Sequence, residues 1–386
     1  MVLRITGAVL DKNQAKQYME KIASSHSIKM HSDKSTYPIK HLKNNFEFIT
    51  KTYNLLNSHI KLGIEIHPAG EWLLDNFYII EEAVKSIEKE LSLKKYTDFP
   101  GISSGTYKGY ARIYVIASEI VAHTDNKINS ENLKVFLNAY QTKKTLEMDE
   151  IWNIGIFLKR AIIENIRDVC EKIYSAQIQK YRVESIVERI VENKDKDKQK
   201  FKSIYNTKTE TFGEIKYPFI EYMSYKLKKY GKDAAKFLTA LEEQTNKMGT
   251  TISDVIQKEH FDIANKKIFI GNGIISLKNI QRINFYEIFE QINGIEEILK
   301  KDPIGVYEKM DYKTKDYYRQ AIKEISKKTK ISEIYIANKA LELAMDSFEN
   351  DHTELRNKKS HIGYYLIQAG KQKLMEKVLN KKVVFF

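Results

Sequence analysis

Apolar positions recur at spacings of three and four along nearly the whole chain, and this period predicts α-helices. The clearest stretch is residues 67–90, HPAGEWLLDNFYIIEEAVKSIEKE, where Pro68 and Glu71 form a helix-start signal. One face of this predicted helix is apolar. Its members are Leu73, Phe77, Ile80, Val84 and Ile87. We expect the rest of the chain to be organised around this helix.

Similar stripes predict helices on both sides of this one. Asp11 is placed to cap the first helix, and Pro38 is placed to begin the second. A run without proline begins at Thr145 and predicts the longest helix. Because the run exceeds an ordinary globular helix, we expect a bend or a break between Gln177 and Tyr181.

The second half of the chain has the same character. Its stripes predict helices at about 251–266, 276–293, 313–329, 332–349 and 360–380. Gly231, Gly249 and Gly294 are candidates for helix C-caps. No pair of strand-like runs joined by a hairpin turn stands out. The predicted fold class is therefore all-α, a helical bundle or a solenoid-like array of roughly a dozen helices.

A charge run, KDKDKQK at 194–200, is the best candidate for a domain boundary. It divides the chain into two predicted parts. The first, 1–195, is an N-terminal helical subdomain that contains the EWLLDN block, and the second, 200–386, is a C-terminal helical subdomain.

The overall charge is basic, with 64 Lys and Arg against 51 Asp and Glu and a net charge of +13. Such a balance raises nucleic acids and anionic membrane surfaces as partners. However, only 9 of the 64 basic residues are Arg, and the lysines are interleaved with Glu. Few arginines make a poor reader of base edges, because the bidentate fork is missing. We therefore expect no nucleic-acid partner and interpret the charge as solvated helix faces.

Compartment and cofactor signals are sparse. The single cysteine, Cys170, cannot form a disulfide within the chain, and it favours a reducing compartment and a buried, inert thiol. The nine histidines form no HxxxH or HExxH motif, and no Gly-rich phosphate loop is present, so we expect no metal and no cofactor. No stretch of 18 apolar residues and no signal peptide stands out. The sequence predicts a soluble, cytoplasmic chain without a membrane span.

Eight residues are the candidates for contacts with a glycan or with a partner. They are Glu71, Trp72, Asp75, Asn76, Tyr78, Glu150, Trp152 and Arg319. Carboxylates beside tryptophans are typical of sugar-cleaving sites, so Glu71 or Asp75 could act with Glu150 as acid and base. The favoured alternative is structural, because acids stabilise helix N-termini through the dipole and each Trp fills core.

Five ordered blocks of sequence resemble the N-terminal region of bacterial cyclic β-1,2-glucan synthases, which are very large membrane glycosyltransferases with a phosphorylase-like C-terminal domain. The blocks are EWLLDNFYIIEE (71–82), GYARIYVIASEIVAHTD (109–125), AYQTKKTLEMDEIWNIGIFLKRAIIENI (139–166), DPIGVYEKMDYKTKDYYRQAIKEISKKTKISE (302–333) and HIGYYLIQAG (361–370). Their order and spacing cover nearly the whole chain, so together they are more specific than any single motif.

The resemblance implies a division of labour. In that family, membrane segments, a processive glucosyltransferase domain, a cyclising domain and the phosphorylase-like domain follow the helical region, and this sequence contains none of them. No catalytic residue is therefore carried over. We expect a non-catalytic helical module that scaffolds the synthase or contacts its β-1,2-glucan, from a truncated gene, a split gene or a fragment. The implied partners are the remaining synthase domains, in the same chain or a separate one, at the inner face of the membrane. The alternative is a glycan-active all-α hydrolase or transglycosylase that uses Glu71 or Asp75 with Glu150.

Overall fold

The fold is built almost entirely from helices, so the predicted all-α class is confirmed. The computed structural model describes residue 5 and residues 7–192, 217–350 and 356–379. Within these ranges it contains 17 α-helices. They are α1 (Lys12–Ser25), α2 (Ile39–Lys61), α3 (Pro68–Glu90), α4 (Leu93–Asp98), α5 (Arg112–Ala122), α6 (Ser130–Gln141), α7 (Met148–Glu192), α8 (Tyr217–Lys229), α9 (Ala235–Lys247), α10 (Ile252–Ile280), α11 (Phe285–Ile292), α12 (Gly294–Leu299), α13 (Tyr312–Thr329), α14 (Glu333–Asn350), α15 (Arg356–Lys359), α16 (Ile362–Ile367) and α17 (Lys371–Leu379).

The chain divides into two compact units, each assembled from stretches that are distant in sequence. The first unit contains Met1–Val9, Ile28–Asn129 and Gly155–Ile283, and the second contains Leu10–Ser27, Ser130–Ile154 and Asn284–Phe386. The charge run at 194–200, which marks the predicted boundary between 1–195 and 200–386, lies outside the described residues. That division stays a prediction.

In the first unit, α3 packs against α2 and α10. Pro68 occupies the first turn of α3, and the His67 side chain caps it by accepting the Ala69 N–H at 3.1 Å. The predicted apolar face is buried at Leu73, Ile80, Val84 and Ile87. Phe77 is half-buried, with its ring stacked 5.8 Å from that of Phe46. A short antiparallel pair, β1 (Ile28–Lys29) and β2 (Gly101–Ile102), completes the regular structure described in this unit.

The predicted break in α7 and the predicted gap before residue 276 are both wrong. Helix α7 is continuous from Met148 to Glu192 and includes Gln177 and Tyr181, so the alternative of a bend there stays a prediction. Helix α10 continues through Gly271 and Gly273, where the sequence predicted a gap between two helices. These glycines lie against neighbouring helices: a Cβ on Gly273 would be 3.3 Å from Ile166 Cγ1 of α7. The glycines therefore permit close helix packing instead of ending the helix.

The helix ends show which short-range signals were read correctly. Asp11 caps α1 in a capping box, accepting the Gln14 N–H at 2.9 Å. Gly231 and Gly249 follow α8 and α9 with positive φ values of 61° and 77°, as C-cap glycines do. The prediction for Gly294 is wrong, since this residue begins α12 after the N-cap Asn293.

The second unit packs α1 against α6 and places α14 against α12, α13, α16 and α17. Its helices bury apolar stripes that include Phe289, Ile322, Ile336 and Leu366. Short helices and turns between residues 293 and 311 connect the longer ones. This arrangement brings the sequence blocks at 302–333 and 361–370 together.

Candidate functional site

The candidate acids of α3 lie on its solvent side. Glu71 and Asp75 are both exposed, and Glu71 Oε2 is 3.9 Å from Lys267 Nζ, which makes a weak surface ion pair. Tyr78 is 55% exposed on the same helix. These side chains are available to a partner or a ligand.

Trp72 and Asn76 have structural roles within the EWLLDN block. The Trp72 indole packs on Gly271, since a Cβ there would lie 3.4 Å from its Cε2 atom. Asn76 interrupts the helix with φ −126° and ψ 18°, and its Nδ2 donates to the Trp72 carbonyl at 3.1 Å. The block therefore builds a kink and a close approach between α3 and α10.

Glu150 and Trp152 belong to the second unit, at the start of α7. Glu150 is fully buried, and its Oε2 accepts the Glu147 N–H at 2.8 Å. The Trp152 ring lies 5.0 Å from that of Phe289, and Lys323 Nζ sits 5.9 Å from its centre. Both residues thus serve the helix start and its packing, which favours the structural interpretation of this pair.

Arg319 lies at the centre of a buried ion-pair network. Its side chain is 1% exposed, and its Nε and Nη2 donate to Glu296 Oε2 at 3.0 and 2.7 Å. Tyr307 donates to the same oxygen at 2.9 Å, and Glu290 Oε1 lies 3.3 Å from Nη2. Burial alone would lower the pKa of Arg319, but the nearby Tyr307 and Glu296 raise it. The rare arginine is therefore a structural centre of this unit.

A second polar cluster joins the blocks at 302–333 and 361–370. Asp302 Oδ2 bonds to His361 Nδ1 at 2.9 Å, and His361 Nε2 bonds to the Tyr318 hydroxyl at 2.8 Å. Burial opposes ionisation of Asp302, but its hydrogen bonds to His361 and to the Ile362 N–H lower its pKa overall. Gly363 packs directly under Tyr318, and a Cβ there would overlap the hydroxyl. Close packing is thus the reason for a glycine in α16.

A cavity of about 1060 Å³ lies in the first unit, between α7, α8 and α10. It is an open cleft with mixed polar and apolar walls. The lining residues are Asp125, Asn165, Asp168, Val169, Glu171, Lys172, Ser175, Ala176, Tyr217, Pro218, Glu259, Asp262, Asn265, Lys266, Ile268 and Phe269. We call it the α7–α10 cleft.

Charged groups with shifted pKa values lie in and beside the α7–α10 cleft. Burial raises the pKa values of Glu259 and of Glu221, and it lowers that of Lys180. Lys266 Nζ pairs with Asp262 at 2.6 Å. Perturbed groups in a cleft make the α7–α10 cleft a candidate functional site.

Burial also affects two groups outside the cleft wall. It lowers the pKa of His67 to about 3, and the positive charge of Lys266 adds to the effect. It raises the pKa of Cys170, which is fully buried, as expected of an inert thiol.

The α7–α10 cleft was not among the features predicted from the sequence. Glu259, Asp262 and Lys266 recur at spacings of three and four and so share one face of α10, but the first half of this helix carries many other polar residues that mask the signal. The α7 residues that line the same cleft lie about ninety residues earlier in the sequence, and no local motif links α7 with α10. Among the described residues, no group of three or more His, Cys, Asp or Glu side chains is placed to hold a metal ion. In the same ranges, no helix is both long and apolar enough to cross a membrane.

The fold and its cleft define an all-α helical module. No family model matches the chain. It is similar to the cyclic β-(1,2)-glucan synthase NdvB of Rhizobium meliloti, with 22% identity over 336 residues. The match covers 87% of this chain but only 12% of the synthase. The resemblance predicted from the five blocks is therefore confirmed, and the chain is related to that synthase.

Proposed function

We propose that the chain is a non-catalytic helical module of a cyclic β-1,2-glucan synthase-like glycosyltransferase. In this role it scaffolds the synthase or contacts its glucan. One observation carries the proposal: the similarity spans 87% of this chain and 12% of the synthase. A segment of that size supplies a part of the machinery, and the remaining synthase domains are its partners, in the same chain or in a separate one.

The positions of the candidate carboxylates support a non-catalytic role. Glu150 is buried and bonded to the start of its own helix, while Glu71 and Asp75 lie on an open surface. An acid and base pair for glycoside cleavage needs two carboxyl groups facing one bond. The buried Glu150 carboxylate is instead bonded at the start of its own helix.

The isolated chain should give no product when it is incubated with UDP-glucose or with linear β-1,2-glucan. Full-length synthase, assayed in parallel, is the positive control. Product formation by the isolated chain would contradict the proposal and would favour the glycan-active alternative. In that case, Glu150→Gln and one of the two substitutions Glu71→Gln and Asp75→Asn should abolish turnover.

The proposed scaffolding role has its own test. Co-expression of the chain with the remaining synthase domains should recover both from the membrane fraction as one complex. Without those domains, the chain should stay in the supernatant. A chain that sediments with membranes alone would contradict the proposed indirect attachment at the inner face.

A further inference from the structure

The α7–α10 cleft carries a charge opposite to that of the chain. Five carboxylates line it, against two lysines, Lys172 and Lys266, whereas the whole chain has a net charge of +13. Acidic walls oppose the entry of anions such as nucleotide sugars, phosphates and nucleic acids. Lys266 pairs with Asp262, and Lys172 offsets one further carboxylate, so the net negative charge of the wall is moderate. The walls therefore admit an uncharged polar ligand or a cation, and the proposed function favours the uncharged one.

Glu259 supplies a specific recognition group. It is 4% exposed and lines the cleft, and its carboxylate makes no hydrogen bond or ion pair within the part of the chain that the structure describes. Leaving a buried carboxylate without a partner is costly. The positive charges of Lys266 and Lys180 offset only part of the cost of burying the Glu259 carboxylate, so burial raises the pKa of Glu259. In either protonation state the carboxyl group can bond to a hydroxyl, as an acceptor when ionised and as a donor when protonated.

The remaining walls suit a sugar. Asn165 and Asn265 present side-chain amides, which both donate and accept hydrogen bonds. Tyr217, Ile268 and Phe269 add apolar surface, on which the C–H face of a pyranose ring can pack. Small-molecule sites usually have volumes of about 300–1,000 Å³. At about 1060 Å³, this cleft accommodates more than one sugar residue.

We propose that the α7–α10 cleft binds a segment of neutral β-1,2-linked glucan, with Glu259 and Asn265 bonding to its hydroxyl groups. This inference rests on the proposed function and deepens it, because it places the glucan contact on this chain. It also moves that contact away from the α3 residues that the sequence singled out.

The test is isothermal titration of the full chain with linear β-1,2-gluco-oligosaccharides. Asn265→Ala should weaken binding roughly three- to tenfold, which corresponds to one lost hydrogen bond. Glu259→Leu should weaken binding more than Glu259→Gln, because glutamine keeps a polar group in place. The matched control is Gln257→Ala, another exposed amide on α10 that does not line the cleft, and it should bind like the original chain. Thermal unfolding of each variant confirms that it is folded.

Competition distinguishes the ligand classes. UDP-glucose and spermidine, at the same concentrations, should not displace the oligosaccharide. The inference is overturned if the folded chain binds no oligosaccharide, if the cleft variants bind like the control, or if an anion or a polyamine occupies the cleft instead. Any of these results leaves the proposed scaffolding role intact, whereas turnover by the isolated chain would refute the non-catalytic role itself.

Discussion

Removing Arg319 should test whether this residue is a structural centre or a surface contact. Arg319→Met keeps most of the side-chain volume but removes the guanidinium that serves Glu296. Glu296 is 1% exposed, so its carboxylate would stay buried with only the Tyr307 hydroxyl as a donor in this network. Breaking one side of a buried ion pair costs about 3–5 kcal/mol of the free energy of unfolding. A surface contact would cost about 0–1 kcal/mol.

The double variant separates the charge effect from the packing effect. In Arg319→Met with Glu296→Gln, no buried charge is left alone, and the glutamine carbonyl can still accept from Tyr307. We expect this second change to restore about 2 kcal/mol or more of the stability lost by Arg319→Met. Glu296→Gln alone should also be destabilising, because it leaves the buried guanidinium with a weaker partner.

Tryptophan fluorescence gives a readout confined to the second unit. The chain has two tryptophans, and Trp152 lies in the second unit while Trp72 lies in the first. In a Trp72→Phe background, urea unfolding followed by fluorescence therefore reports on the surroundings of Trp152. Its neighbour Phe289 also lies 5.0 Å from the Arg319 guanidinium. A loss below about 1 kcal/mol in the single variant, or no recovery in the double variant, would refute the reasoning.

Two further predictions concern packing and pH. Gly363→Ala should lower the free energy of unfolding by about 1–3 kcal/mol, because its Cβ would overlap the buried Tyr318 ring. Gly271→Ala should instead raise it by up to about 1 kcal/mol through helix propensity, because its Cβ would meet Trp72 at ordinary contact distance. Urea midpoints that shift alike in both variants would contradict this contrast. Burial raises the pKa of Glu333 from 4.5 to about 7, so the folded state keeps a proton that the unfolded state releases between these values. The free energy of unfolding should therefore fall by up to about 1.4 kcal/mol per pH unit as the pH rises from about 4.5 to about 7, and Glu333→Gln should abolish that slope.

The sequence predicted the helices well wherever one face had to be buried. The stripe on α3 and the cap at Asp11 are local signals, and local sequence determines both. The breaks were harder to predict, because Gly273 is a helix breaker by propensity and a packing residue in context. Only its tertiary neighbour, Ile166, decides between the two.

The candidate site shows the same limit. Acids at a helix start were recognised as such, and Glu150 proved to be one of them. The α7–α10 cleft could not be predicted, because the helices that bury Glu259 and form the other walls are remote from it in sequence. Periodicity identifies which residues share a face, but it does not say which faces leave a gap between them.

The arginines illustrate how composition can be misread. Their scarcity argued against nucleic-acid binding, but their positions carry further information. Among those whose side chains are described, Arg112, Arg160, Arg182 and Arg319 are buried. A planar fork serves a buried carboxylate with fixed geometry, as Arg160 does with Glu164 at 2.6 Å. The other two described arginine side chains lie further out, since Arg167 is half-buried and Arg282 is exposed.

The interleaving of the two units bears on how the protein is made. The second unit draws on Leu10–Ser27 and also on residues from Asn284 onward, so a ribosome synthesises the whole middle of the sequence before that unit can close. Pairing such remote stretches is entropically slow, and α1 and α6 would leave apolar surface uncovered during the wait. A gene split near residue 195 would place α1 and α6 on one chain and the residues from Asn284 onward on another. The two chains should then fold only when both are produced in the same cell.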